Sequence, residues 1–235
     1  MGAVDIPKSL EIALPSGLRP AAEVYIIEAL RPEDYAYFCA DGIVLENQLR
    51  LIGCSPILKR VYSIDDLRQA VQSYDDSGYR FLHISCHGSE DRVEIFGKES
   101  LTYSELAKIL KGHVVNSRLT FSACSLGNRD FAKEIFGQNK GLHSVLAPIG
   151  EMAFDLSSVL WISFYTLLFR KAHIREKRTG ILSVDVKSIE RITRTLCTTF
   201  GVDMMVCKDN PMGDNFLYEE CRVKPFVNGE EMRYC

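Results

Sequence analysis

Apolar runs of four to eight residues alternate along the chain with stretches of helical periodicity. EVYIIEAL (23–30) reads as a strand buried on both faces. In IVLENQLRLIG (43–53), Val44, Leu45, Leu49 and Leu51 supply an apolar stripe and Gly53 a stop, which predicts a helix. LKRVYS (58–63) predicts a second strand and IDDLRQAVQSY (64–74) a second helix, capped by Ser63 with Asp65 and Asp66 in its first turn. A third strand is expected over YRFLHIS (79–85), and a short outer strand or hairpin arm over RVEIFG (92–97). A helix at 103–110, a strand at 118–123, a helix at 129–136, a strand at 143–150 and an apolar helix at 156–169 continue the series.

Short strands alternating with helices of about ten residues predict an α/β fold with a mostly parallel sheet. Beyond 169 the pattern loosens. The basic RKAHIREKR (170–178) reads as a solvated face, and VKSIERITRTLCTTF (186–200) as a helix with Ile189, Ile192, Leu196 and Phe200 on one side. GVDMMVC and FLYEECRV are expected as edge strands or a peripheral layer. The organisation expected is a leader over 1–22, rich in Pro and Gly, and one domain over 23–235 whose portion 170–235 is the least regular.

Composition narrows the function classes. A chain of 235 residues with 46% hydrophobic and 25% charged positions has the make-up of an ordinary globular protein with a sizeable core. Its net charge of -3 offers no field for a polyanion, so no nucleic-acid partner is expected. The most lipid-like stretch, LSSVLWISFYTLLF (156–169), would rise about 21 Å as a helix, short of a roughly 30 Å hydrocarbon layer. Asp155 stands at its start, so a buried core helix and no membrane insertion are expected. The first residues carry no basic region followed by a sustained apolar core, and Ile6 stands where a myristoylation motif needs Ser or Thr. The eight cysteines form no CxxC pair, which reads as free thiols in a reducing, cytoplasmic setting.

Candidate chemistry concentrates in FLHISCHGSE (81–90). On a strand over 79–85, Leu82 and Ile84 face one way and His83 and Ser85 the other, which makes His83 a packed interior residue. His87 lies past the apolar run beside Gly88, at the carboxyl end of the strand, where open α/β sheets bind ligands. FSACSLGN (121–128) has the same form: an apolar strand, small residues, a reactive side chain and a glycine. If the two strands are parallel neighbours, His87 and Cys124 emerge on one edge, and the imidazole can then activate the thiol. Taken alone, Cys124 reads first as a small buried hydrophobe. A zinc site from His83, Cys86, His87 and Cys124 would need residues on opposite strand faces, so no metal and no cofactor are expected.

LHISCHG followed by SAC resembles the histidine-glycine and alanine-cysteine pair of caspase-like cysteine peptidases, a group that includes the bacterial CHAT-domain proteins. The resemblance runs from about residue 23 through FYTLLF (164–169) and takes in ENQLRLIG, SELAKIL and APIGEMAFD. It implies a three-layer α-β-α sandwich and a cysteine endopeptidase acting on protein or peptide substrates, with His87 as general base or imidazolium and Cys124 as nucleophile. It further implies an oxyanion hole from the backbone N–H groups of Gly88 and Cys124, with no acidic third member assigned. The caspase signature has glutamine and arginine around the cysteine, whereas Ser122 and Ser125 stand there here. Cleavage after aspartate is therefore not expected. Glu151, Asp155 and Ser122 are the candidate pocket residues, and the two acids would suit a P1 Arg or Lys; the competing reading leaves Glu151 solvated and Asp155 capping a helix. Similarity to CHAT proteins implies an effector of prokaryotic defence or stress, with an activating protein partner a further candidate. The alternative function is a catalytically inactive interaction or sensing domain.

Overall fold

The computed structural model describes residues 23–37, 39–97, 99–179, 184–210 and 216–222, with backbone alone for 171–179. The leader expected over 1–22 lies outside them. Four strands take their places from apolar runs: β1 (Val24–Ala29), β3 (Phe81–Gly88), β6 (Arg118–Ser122) and β7 (Ser144–Pro148). They pair in the order β1-β3-β6-β7, all parallel, with β2 (Ile57–Arg60) parallel on the far side of β1. The sheet ends in β8 (Met204–Asp209) and β9 (Phe216–Cys221), both antiparallel to their neighbours. Near-continuous burial along β1, β3, β6 and β7 follows from helices covering both faces. The three-layer α-β-α arrangement with a mostly parallel central sheet is the one expected.

Tyr25, Ile27, Leu82, Ile84, Leu119 and Phe121 pack on one face against α3 (Ile64–Ser77), α4 (Tyr103–Leu110) and α5 (Arg129–Gln138). Val24, Ile26, Phe81 and Leu146 pack on the other against α2 (Asp41–Leu51), α6 (Phe154–Thr179) and α7 (Val186–Phe200). Local chemistry sets the helix ends. Ser63 accepts the Asp66 N–H and Gly78 closes α3 at φ 67°, while Thr102 and Glu105 cap α4 reciprocally.

Two elements are additional to the sequence pattern: the single-turn α1 (Pro32–Ala36), and β5 (Glu99–Thr102), which pairs with β4 (Arg92–Ile95) to form a hairpin on the tip of β3. Neither has an apolar periodicity of its own; tertiary pairing creates both. α6 runs on to Thr179 through the basic segment, because Arg, Lys and Glu are good helix formers. The strands after β1 spread in opposite directions, β2 to one side and β3 to the other, a switch point of the kind beside which open α/β sheets bind ligands. The segments leaving β1 and β3, together with the one leaving β6, build the candidate site.

Candidate active site

Register brings the two reactive residues to one edge. β3 and β6 run parallel with Ser85 opposite Ser122. His87 and Cys124 each lie two residues further on, so they leave the ladder at the same level. Both line a cavity of about 40 Å³, together with Ser122, Met152, Phe154 and Ser157. β3 is longer than its apolar run, extending through His87 and Gly88, because Glu94 and Val93 of β4 pair with these residues. His87 is therefore held in a ladder rather than on a free loop.

Gly88 permits the close approach of the two chains. A Cβ on Gly88 would lie 2.6 Å from the Cys124 carbonyl oxygen, nearer than any side chain tolerates. The turn after Cys124 is tightly pinned. Ser125 adopts φ 60°, in the left-handed region, and its N–H donates to the Gly150 carbonyl at 3.0 Å. Asn128 accepts the Phe131 N–H at 2.8 Å, which starts α5, and donates to the Ser125 carbonyl at 3.0 Å. The segment after β7 closes the other side: the Met152 N–H points at the Cys124 sulfur at 3.4 Å, and the Phe154 ring stands edge-on to His87 with centroids 5.6 Å apart.

His83 and Cys86 belong to the scaffold. His83 is fully buried between the Trp161 and Tyr165 rings, with Tyr165 Oη 3.4 Å from Nδ1. Burial alone pulls its pKa down to about 3, so it is neutral. Burial pushes the Cys86 thiol far up, with the Asp41 carboxylate adding to the effect.

The acidic pocket candidates sit elsewhere. Glu151 is exposed, and exposed Asp155 accepts the N–H of Leu156 at 2.7 Å in the first turn of α6; neither lines the cavity. Ser122 does line it, and its hydroxyl leads to a carboxylate that the sequence did not single out. Asp41, 3% exposed at the start of α2, accepts hydrogen bonds from the hydroxyls of Ser122 at 2.5 Å, Ser157 at 3.1 Å and Ser85. Burial raises the Asp41 pKa, and the three hydroxyls pull it back. Among the described residues no cation pairs with Asp41. The nearby Arg60 is engaged by another buried acid, Glu28, at 3.1 Å, and Glu28 also accepts the Gly42 N–H at 2.9 Å. A second acid is turned toward His87: Asp34 of α1, whose Oδ2 is 2.7 Å from His87 Nε2. A lone Asp before a helical stripe reads from sequence only as a helix-start acid, so neither Asp34 nor Asp41 carried a recognisable signal.

No family model and no curated protein matches the chain. Among solved structures it is similar to a complex of Porphyromonas gingivalis RgpB pro- and mature domains. That match has 16% identity and a TM-score of 0.42, and it covers 61% of this chain and 36% of that one. The chain thus spans about a third of the length of that structure.

Proposed function

We propose that the chain is a cysteine endopeptidase in which Cys124 attacks a peptide carbonyl and His87 relays the protons. The observation that carries this reading is the convergence of an imidazole and a thiol on one carboxyl edge, at one cavity, with Gly88 packed against the Cys124 main chain. The thiol proton passes to His87, the thiolate adds to the carbonyl, and the imidazolium returns the proton to the departing amine. Water, deprotonated by the same imidazole, then releases the acyl group. The N–H groups of Gly88 and Cys124 are the donors proposed for the oxyanion. Resemblance to CHAT-domain proteins extends the proposal to an effector role in prokaryotic defence or stress.

The substrate side chain proposed for the pocket is cationic, Lys or Arg at P1. A buried carboxylate normally has a cation beside it, since burial of an unpaired charge costs several kcal/mol. Asp41 has three hydroxyls instead, behind a cavity that Ser122 and Ser157 line. An incoming ammonium or guanidinium would supply the missing charge. Two measurements test the reading. An iodoacetamide footprint resolved by mass spectrometry should label Cys124 ahead of the other seven cysteines, and cleavage of a mixed-P1 peptide library should favour Lys or Arg and vanish in Cys124→Ala. Asp41→Asn should lower kcat/KM for basic P1 by on the order of 10²-fold, about 2.7 kcal/mol of transition-state binding. Uniform labelling without cleavage would instead assign the chain to the inactive interaction domain.

A further inference from the structure

The geometry points to Asp34 as a positioning residue that fixes the tautomer of His87, making the site a Cys–His–Asp relay; the inference rests on His87 acting with Cys124. An ionised carboxylate can only accept, so the 2.7 Å contact with Asp34 Oδ2 places the proton of neutral His87 on Nε2. A neutral imidazole has one N–H and one lone pair. With Nε2 committed to Asp34, Nδ1 is the nitrogen left to take the thiol proton. When it does, the ring becomes a cation beside a carboxylate, and the charge-assisted bond strengthens as the reaction needs it. Without Asp34 the ring could present either nitrogen.

Several contacts keep Asp34 in place for this task. The same Oδ2 accepts the Arg31 N–H at 2.8 Å, which ties the carboxylate into the first turn of α1. Arg31 in turn grips Glu94 with a two-pronged contact, Nε to Oε1 and Nη2 to Oε2, both 2.5 Å. Glu94 is the residue of β4 that pairs with His87. The contacts therefore close a ring: His87 to Asp34, along α1 to Arg31, across to Glu94, and back over the ladder to His87. A single-turn helix has little stability of its own, and here it is clamped at both the acid and the base. Half-burial of the pair, with 26% of the His87 and 15% of the Asp34 side chain exposed, limits solvent screening of the contact.

The test reads the ring directly. In a chain labelled with ¹⁵N at its five histidines, His87 is assigned by its loss in His87→Gln. A Cys124→Ala background removes the thiol, so the spectrum reports the neutral ring under the influence of Asp34 alone. The expected spectrum has Nε2 protonated and Nδ1 bare. Adding Asp34→Ala should average the two nitrogens, while Asp34→Asn, which keeps an oxygen for both the Arg31 N–H and Nε2–H, should retain the original pattern. In the Cys124 chain, Asp34→Ala should lower kcat on the order of 10²-fold with little change in KM, the effect of losing a correctly oriented base. An unchanged pattern in Asp34→Ala overturns the assignment. The spectrum needs no substrate, so this outcome is separate from that of the peptidase reading, which the Cys124→Ala cleavage assay decides.

Discussion

Substitution of Gly88 by alanine should uncouple the two halves of the candidate site without touching either reactive side chain. The added Cβ would meet the Cys124 carbonyl oxygen at 2.6 Å, where side chains in proteins keep at least 3.0 Å, so the chains must part by at least about 0.4 Å. Little nearby can yield. The next obstacles are Cγ and Cδ2 of Leu126 at 3.0 and 3.1 Å, and Leu126 is fully buried. Behind the carbonyl, the turn is bound through Ser125 to Gly150 and through Gly127 to Pro148. Overpacking of this kind costs about 1–3 kcal/mol. A 1 Å misplacement of reacting groups costs about 10²-fold in rate, so a shift of half that size should slow the Cys124 reaction on the order of 10-fold. Urea unfolding measures the first effect as a lower midpoint at unchanged slope, and the alkylation rate of Cys124 measures the second. Gly150→Ala is the matched control, since a Cβ there meets nothing within 4 Å. Wild-type stability and wild-type Cys124 reactivity in Gly88→Ala would refute the close packing of the two strand ends.

His83 supplies a pH prediction: its folded-state pKa of about 3 lies below the ordinary 6.5, so the unfolded chain binds one more proton between those values. Stability from this residue is complete above pH 6.5 and is lost as pH falls toward 3, at about 1.4 kcal/mol per pH unit. Urea midpoints measured from pH 7 to 4 should show that slope flattened by one proton in His83→Phe, and an unchanged slope would count against a neutral buried ring. Gly137 lies within α5 with open space at its Cβ position, so Gly137→Ala should stabilise the protein by about 0.5–1 kcal/mol in the same assay.

Burial on both faces made β1, β3, β6 and β7 legible as apolar runs, and α4 and α7 match the stretches that their periodicity marks. The common level of His87 and Cys124 could also be reasoned from sequence, because two strands with the same ending must present those endings together once they pair in parallel. What remained hidden depends on contacts distant in the chain. Asp41 stands behind the cavity only because hydroxyls from β3, β6 and α6 converge on it. Asp34 becomes a partner of His87 only because an arginine three residues earlier is held by a glutamate on a hairpin whose second strand has no apolar pattern. Glu151 and Asp155 have the charge of pocket acids and lie close to the site in the chain; here both are exposed, and Asp155 accepts the N–H of Leu156 in the first turn of α6.

The parts of the candidate site divide into a side clamped by several contacts and a side without regular structure. His87 is paired on β4, Gly88 is packed on Cys124, and Asp34 is clamped through Arg31, so this wall has little freedom. The opposite wall is 151–153, which has no regular structure and lies in the segment joining β7 to α6. From it, Met152 occupies the space at the sulfur; Phe154, the first residue of α6, stands at the imidazole. A cavity of about 40 Å³ holds roughly one or two waters, far less than a lysine or arginine side chain. On the proposed reading, a P1 side chain approaching Asp41 would displace 151–154 and break the contact from Met152 N–H to Cys124 Sγ. That reading would have the sulfur give up a backbone donor at the step in which it attacks the substrate carbonyl. It also predicts that Met152→Gly, which thins the wall and leaves its N–H in place, speeds alkylation of Cys124 by bulky reagents more than by small ones. Equal acceleration for reagents of all sizes would show that Met152 is not the barrier.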